Sequence, residues 1–205
     1  MAHLPDQRPV SVETFAGSVV PNLIETLDKH GAGRPRLGLE PGRSIVAEAG
    51  TTLYTIGAVK EVAIPSAPGK RIYVNIDGGM SDNPRPQLYE ARYSAILANR
   101  ANESPDTQVT IAGKHCETDI LISNTDWPMP HPGDILAVQT TGAYNHSMAS
   151  NYNRLPRPAV VVVYQGEAEL LVERESYADL IRHDRIPARW SQACLLYTSP
   201  SPRDS

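Results

Sequence analysis

The strongest constraint on this chain is a succession of short apolar segments rich in β-branched residues, at 54–62, 71–77, 107–112, 119–123, 134–139, 159–164 and 168–174. Clusters of Pro, Gly, Asn and Asp separate them, as at 65–69, 102–105, 128–133 and Gln165-Gly166. A strand turns successive side chains to opposite faces, so several short strands at this spacing pack as a β-sandwich or barrel. The expected fold is therefore mainly β. Within that region one helix is expected, over 87–99. Ahead of it, Val12–Lys29 reads as an amphipathic helix, with Phe15, Val19, Leu23 and Leu27 at helical spacing and Ser11 as N-cap. Gly31 and Gly33 supply its stop, and 35–40 reads as a short apolar strand. A helix feeding a strand is one unit of a (β/α) barrel.

Composition narrows the function. The chain has 205 residues, a net charge of −4 and 40% hydrophobic residues. That is an ordinary globular balance, and it lacks the basic stripe of a nucleic-acid binder. There is no apolar run of membrane-spanning length. The N-terminus has neither the charged region nor the apolar core of a signal peptide. Cys116 and Cys194 are the two cysteines, too few for a disulfide framework, so a reducing cytoplasm is expected. The six histidines show no metal-ligand spacing, and no metal is expected. The Ser/Pro-biased run 194–205 has no periodicity and resembles the translation of a sequencing adapter; 188–205 is expected to be a non-native or disordered tail.

Four polar constellations carry the chemistry. In Glu40-Pro41-Gly42-Arg43, glycine lets backbone N–H groups approach an anion and arginine adds a planar fork. Alone, the tetrapeptide reads equally as a turn beside a surface arginine. Asp77-Gly78-Gly79-Met80 leads into Asn83-Pro84-Arg85-Pro86-Gln87-Leu88-Tyr89, where two prolines restrict the backbone around a guanidinium. In Gly113-Lys114-His115-Cys116-Glu117, a thiol sits among charged neighbours that can tune its protonation. Alone, it reads equally as a small buried residue. Gly142-Ala143-Tyr144-Asn145-His146-Ser147-Met148-Ala149-Ser150-Asn151-Tyr152-Asn153 completes the set, and Tyr144 reads either as a ligand contact or as a core aromatic.

In this order, the motifs resemble the C-terminal half of the diaminopimelate decarboxylases, a pyridoxal-phosphate-dependent family, over roughly residues 11–187. The resemblance implies residues 1–43 as the last helix and strand of a truncated (β/α)8 barrel and 44–187 as a C-terminal β domain. It implies a full-length enzyme that converts meso-2,6-diaminopimelate to L-lysine and CO2. Glu40, Pro41, Gly42, Arg43 and Tyr144 would contact the cofactor. Arg43, Arg85, Tyr89, Glu117 and Tyr144 would bind substrate, and Cys116 would be the proton donor. The family works as a homodimer with shared active sites. One departure stands out: the family reads Cys-Glu-Ser-Gly-Asp where this chain has Cys116-Glu117-Thr118-Asp119, one residue shorter. None of the four lysines (Lys29, Lys60, Lys70, Lys114) stands in the context of the family's cofactor-bonding lysine, so this chain alone is expected to be inactive. Two alternatives remain open: an arginine- or ornithine-type decarboxylase, and a non-catalytic β-barrel interaction module.

Overall fold

A computed structural model describes residues 4, 7–8, 10–64 and 68–191. It separates into two compact units, one running to Asn153 and one from Arg154 onward. The expected tail at 194–205 and part of the 65–69 turn lie outside the described residues.

In the first unit, helix α1 spans Val12–Lys29 as its periodicity predicts. Ser11 Oγ accepts a hydrogen bond from the Thr14 N–H at 3.1 Å, satisfying one of the helix's orphan donors. None of its residues is buried: Val19, Leu23 and Leu27 are half-buried and Phe15 is exposed. The strand expected at 35–40 does not form. That segment has no ladder partner among the described residues, and Leu37 and Leu39 stand exposed. An extended segment without a neighbour leaves its backbone groups to water. Instead, Gly42 opens a single helical turn, α2, over Arg43–Val46.

The sheet domain follows. Strands β1 (Thr51–Ala63), β2 (Lys70–Ile76), β3 (Ala95–Leu97), β4 (Thr107–Ala112), β5 (Ile120–Trp127) and β6 (Ile135–Gln139) form one sheet in the order β3-β6-β1-β2-β4-β5. The long β1 pairs with β6 over 51–55 and with β2 over 56–63, with an irregular register between Ile56 and Val59. Such a bend lets one strand turn a corner and curl the sheet. The two edges nearly meet, because the Trp127 indole N–H on β5 donates to the Ala95 carbonyl on β3 at 3.1 Å. The result is a nearly closed barrel. Its interior is filled by alternate residues: Tyr54 and Ile56, Val74 and Ile76, Val109 and Ile111, Leu136 and Val138. β2 and β4 run parallel; the other sheet pairings are antiparallel.

The helix expected over 87–99 is corrected. A short helix, α3, occupies Arg85–Tyr89 and ends at Glu90, whose φ of 51° is left-handed. The chain then enters β3, where Ile96 and Leu97 pair with Ala137 and Leu136. The local helical pattern loses to the sheet, because Leu97 completes the barrel core only as a strand residue. A last short helix of this unit, α4, spans Asn145–Met148.

In the second unit, β7 (Val160–Tyr164) and β8 (Glu167–Val172) form a hairpin. Gln165 and Gly166, at φ 51° and 84°, make a two-residue turn of left-handed residues whose backbone twist matches the right-handed twist of the strands. An ion pair between Arg157 and Glu175 at 2.5 Å closes the base. Helix α5 (Tyr177–Ile181) opens with a reciprocal Ser176–Asp179 capping box, and α6 covers Ala188–Ser191.

Leu136 is fully buried and Leu170 is exposed. Leu136→Ala is expected to lower unfolding free energy by about 2–5 kcal/mol. Leu170→Ala should cost under about 0.5 kcal/mol. Urea denaturation followed by circular dichroism measures both, and equal losses would contradict the barrel core.

Candidate functional site

Two groups of side chains concentrate the chemistry. The first forms around Tyr144. Two glycines create it: a Cβ on Gly142 would lie 1.9 Å from the Val46 carbonyl oxygen, and one on Gly50 would lie 2.2 Å from the Gly142 nitrogen. Only backbone meeting backbone fits there. The Gly142 N–H donates to the Ala47 carbonyl at 3.0 Å, and the Thr141 N–H to the Gly50 carbonyl at 3.0 Å. This clip fastens α2 against the turn that carries Tyr144. Tyr144 itself has a φ of 71°, uncommon for a bulky residue and a sign of a conformation imposed by its surroundings.

The clip brings Arg43 to 5.9 Å from the Tyr144 ring centroid. Gly42 lies under the same phenol; a Cβ there would stand 2.7 Å from Tyr144 Oη. From the other side comes Arg85, at the start of α3 between Pro84 and Pro86. Its guanidinium lies 5.4 Å from the Tyr144 ring and 5.1 Å from the Tyr89 ring. These are cation–π distances, and they hold the planar forks at fixed places. Among the described residues neither Arg43 nor Arg85 has a carboxylate partner, and Arg85 Nε is buried without a hydrogen bond. Burial raises the pKa of the neighbouring Tyr93 phenol, while Arg85 and Arg43 pull it the other way. Tyr93 donates to Asn145 Oδ1 at 3.2 Å. Glu40 is exposed beside this group, and the Pro41 carbonyl accepts from Ser44 N and Oγ at 3.1 and 3.0 Å.

The second group is the loop between β4 and β5. Asp119 organises it. Asp119 Oδ1 accepts from Met80 N–H at 2.9 Å and from Gln87 Nε2 at 3.3 Å. Asp119 Oδ2 meets His115 Nδ1 at 2.5 Å, with both side chains buried. A Cβ on either Gly79 or Gly113 would come within 2.0 Å of that same oxygen. The loop tightens in a γ-turn centred on Thr118, where the Asp119 N–H donates to the Glu117 carbonyl at 2.8 Å. The loop holds Cys116 exposed, its thiol 3.5 Å from Glu117 Oε2. The Tyr152 hydroxyl donates to Glu117 Oε1, and this bond, first among the causes, lowers the Glu117 pKa. Asn153 Nδ2 donates to Cys116 Sγ at 3.6 Å.

The structure therefore gathers Gly42, Arg43, Arg85, Tyr89 and Tyr144 in one group and Cys116 with Glu117 in another. Gln87 links them: it sits on the helix that carries Arg85 and bonds both Asp119 and the Ile120 carbonyl. Asp119, Gln87, Tyr152 and Asn153 stood within or beside the quoted motifs without a role, and Tyr93 stood outside them. An acidic residue closing the Gly113-Lys114-His115-Cys116-Glu117 motif was the available signal for Asp119; nothing local marked Tyr93. Among the described residues, no group of three His, Cys, Asp or Glu is placed to hold a metal ion, and no helix is long and apolar enough to cross a membrane.

Comparison with known proteins gives the family of this fold. The family model "Pyridoxal-dependent decarboxylase, C-terminal sheet domain" matches residues 10–142. Diaminopimelate decarboxylase of Bacillus subtilis is 50% identical over 180 residues, which are 87% of this chain and 40% of that protein. The Synechocystis enzyme of the same name is 49% identical, over 88% of this chain and 38% of its own length. The chain thus spans about 40% of the length of the curated relatives it matches. A crystal structure of diaminopimelate decarboxylase from M. jannaschii, in co-complex with L-lysine, superposes with a TM-score of 0.78 at 34% identity, covering 91% of this chain and 41% of that one.

Gly79 is at φ 148° against Asp119, whereas Gly33 has open space around it. Gly79→Ala should destabilise by about 1–3 kcal/mol from crowding alone, and Gly33→Ala should be near neutral. Thermal unfolding of both variants checks this; a neutral Gly79→Ala would mean that the carboxylate is not caged as described.

Proposed function

The chain belongs to the pyridoxal-dependent decarboxylases, whose C-terminal sheet domain it matches, and on that premise we propose that it serves an enzyme converting meso-2,6-diaminopimelate to L-lysine and CO2. The observation that carries this reading is the convergence of Arg43 and Arg85 on Tyr144 without a carboxylate partner. Two guanidiniums without a carboxylate over one phenol call for anionic groups, and a buried, unbonded Arg85 Nε is a donor awaiting an acceptor. A cofactor phosphate and a substrate carboxylate supply them. Gly42 fits the same need, because its bare backbone leaves room beneath the Tyr144 hydroxyl. Glu40, Pro41, Gly42, Arg43 and Tyr144 would hold pyridoxal phosphate. When bound, that group supplies an electron sink for the bond pair left by departing CO2.

The chain's own residues do the rest. Arg43 binds a substrate carboxylate. Arg85 and Tyr89 recognise the distal carboxylate, and Glu117 pairs with the distal ammonium. Cys116 holds a proton at Sγ for delivery to the reacting carbon. Cys116 and Glu117 make their contacts with Asn153 and Tyr152, whereas Arg43 and Arg85 make theirs around Tyr144. That separation supports a homodimer in which Cys116 and Glu117 serve the partner's cofactor. None of the four lysines stands among the Tyr144 group, and Lys70 is engaged by Glu61 at 2.6 Å. The cofactor-bonding lysine therefore belongs to another part of the enzyme, and this chain alone turns over no substrate. In domain terms, 1–43 closes the family's barrel, 44–187 forms its sheet domain and 188–205 is foreign to both. A free thiol as proton donor suits the reducing cytoplasm.

In a full-length enzyme carrying this sequence, Cys116→Ala should lower kcat by about 10²–10⁴-fold with little change in KM. Wild-type turnover in that variant would move the proton donor elsewhere. Arg85→Ala should raise KM for diaminopimelate by roughly 10- to 150-fold, the loss of one charge-assisted hydrogen bond. Steady-state kinetics on diaminopimelate and ornithine reads this, and equal activity of the unmutated enzyme on both would defeat the role given to Arg85 and Glu117.

A further inference from the structure

Cys116 and Glu117 stand next to each other on an exposed loop, and the backbone of that loop is braced by the buried Asp119–His115 pair. A braced backbone does not restrain two polar side chains in water, which would sample several rotamers at little cost. Their restraint comes from 150–153. The Ser150 N–H donates to the Ser81 carbonyl at 2.8 Å, fixing this segment to the turn that follows Gly79. The Tyr152 ring stacks on His115, centroids 5.8 Å apart and planes 18° from parallel. The hydrogen bonds then run in one chain: Asn153 Nδ2 donates to Cys116 Sγ, the thiol donates to Glu117 Oε2, and Tyr152 Oη donates to Glu117 Oε1. With one carboxylate oxygen held by Tyr152, the other is turned to the thiol. Asn153 has a φ of 55°, a left-handed conformation that asparagine tolerates better than most residues. One residue type thus meets a backbone need and supplies the donor.

We propose that Tyr152 and Asn153 are positioning residues of the reaction, the phenol fixing the Glu117 carboxylate and the carboxamide fixing the Cys116 sulfur against the buried His115–Asp119 abutment. This rests on Cys116 and Glu117 being the reacting and ammonium-pairing residues. The titratable groups set against the thiol are Glu117 from its own loop and Tyr152 from the clasp, and His115 acts in turn on Glu117. A donated hydrogen bond stabilises the thiolate, so losing Asn153 raises the pH at which the sulfur becomes nucleophilic. Losing the Tyr152 hydroxyl leaves more of the Glu117 charge to hold the thiol proton, with the same sign.

The test is the pH profile of Cys116 alkylation by iodoacetamide on this chain, with peptide mass mapping to separate Cys116 from Cys194. Asn153→Gly keeps the left-handed backbone and removes the donor. Its midpoint should rise by about half to one pH unit, a roughly three- to tenfold slower reaction below the midpoint. Tyr152→Phe keeps the ring on His115 and should also raise the midpoint, and adding Glu117→Gln should cancel that rise. Circular dichroism monitors folding. Should Asn153→Gly unfold, Asn153→Asp keeps the backbone preference and, by placing a negative charge beside the sulfur, should raise the midpoint at least as far. Unchanged midpoints in the folded variants overturn the proposal, as does a Tyr152→Phe effect that survives Glu117→Gln. The readout needs no cofactor, so a Cys116→Ala enzyme with full turnover would defeat the functional reading while leaving the clasp intact.

Discussion

A single buried carboxylate holds the site-bearing half of the barrel together. Removing a charged carboxylate from water is costly unless hydrogen bonds replace the lost hydration. Asp119 meets that demand from three places in the sequence: Met80 N–H, Gln87 Nε2, and both the backbone and the ring nitrogen of His115. Because one anion must satisfy all of them, the Gly79 turn, helix α3 and the cysteine loop cannot move independently. Two glycines keep the space free for it. Arg85 rides on α3 and Cys116 on the loop, so the same carboxylate sets the positions of both functional groups.

A second device acts just ahead of β1. The backbone contact between Gly50 and Gly142 brings α2 under the Tyr144 turn and sets Arg43 against the phenol that Arg85 approaches from α3. Two arginines with no carboxylate between them repel one another. Their proximity is tolerated because the fold fixes the surrounding backbone, and an anion between them would relieve the repulsion. The cysteine loop needs the reverse treatment. Its side chains are exposed, and local hydrogen bonds from Tyr152 and Asn153 hold them. One group is built by close backbone packing and the other by a polar clasp.

The strands were legible because a buried sheet face demands alternation, and alternation is a local pattern: Ile72, Val74 and Ile76 announce β2 without any knowledge of its neighbours. The α1 helix and its Ser11 cap were legible for the same reason. Residues 87–99 misled because leucine and alanine suit a helix, while the barrel edge needed Leu97 beside Leu136. Residues 35–40 misled in the opposite sense, since a strand-like composition makes no strand without a ladder partner. The motifs that resemble the decarboxylase family pointed to Arg43, Arg85, Tyr89, Cys116, Glu117 and Tyr144. Asp119 stood within quoted sequence yet drew notice only as the end of a shortened loop.

By itself, then, the sequence determined what depends on neighbours a few residues apart: the helix and its cap, most strands, the turns, and the residue types available for acid–base and anion chemistry. Tertiary structure decided which of those residues meet. Tyr152 lies 35 positions from Glu117, and Tyr54 hydrogen-bonds Asp82 across 28. No local rule encodes such separations. They arise because buried charges and phenols must find partners wherever the closed sheet brings them, and the cost of leaving them unpaired exceeds any local preference.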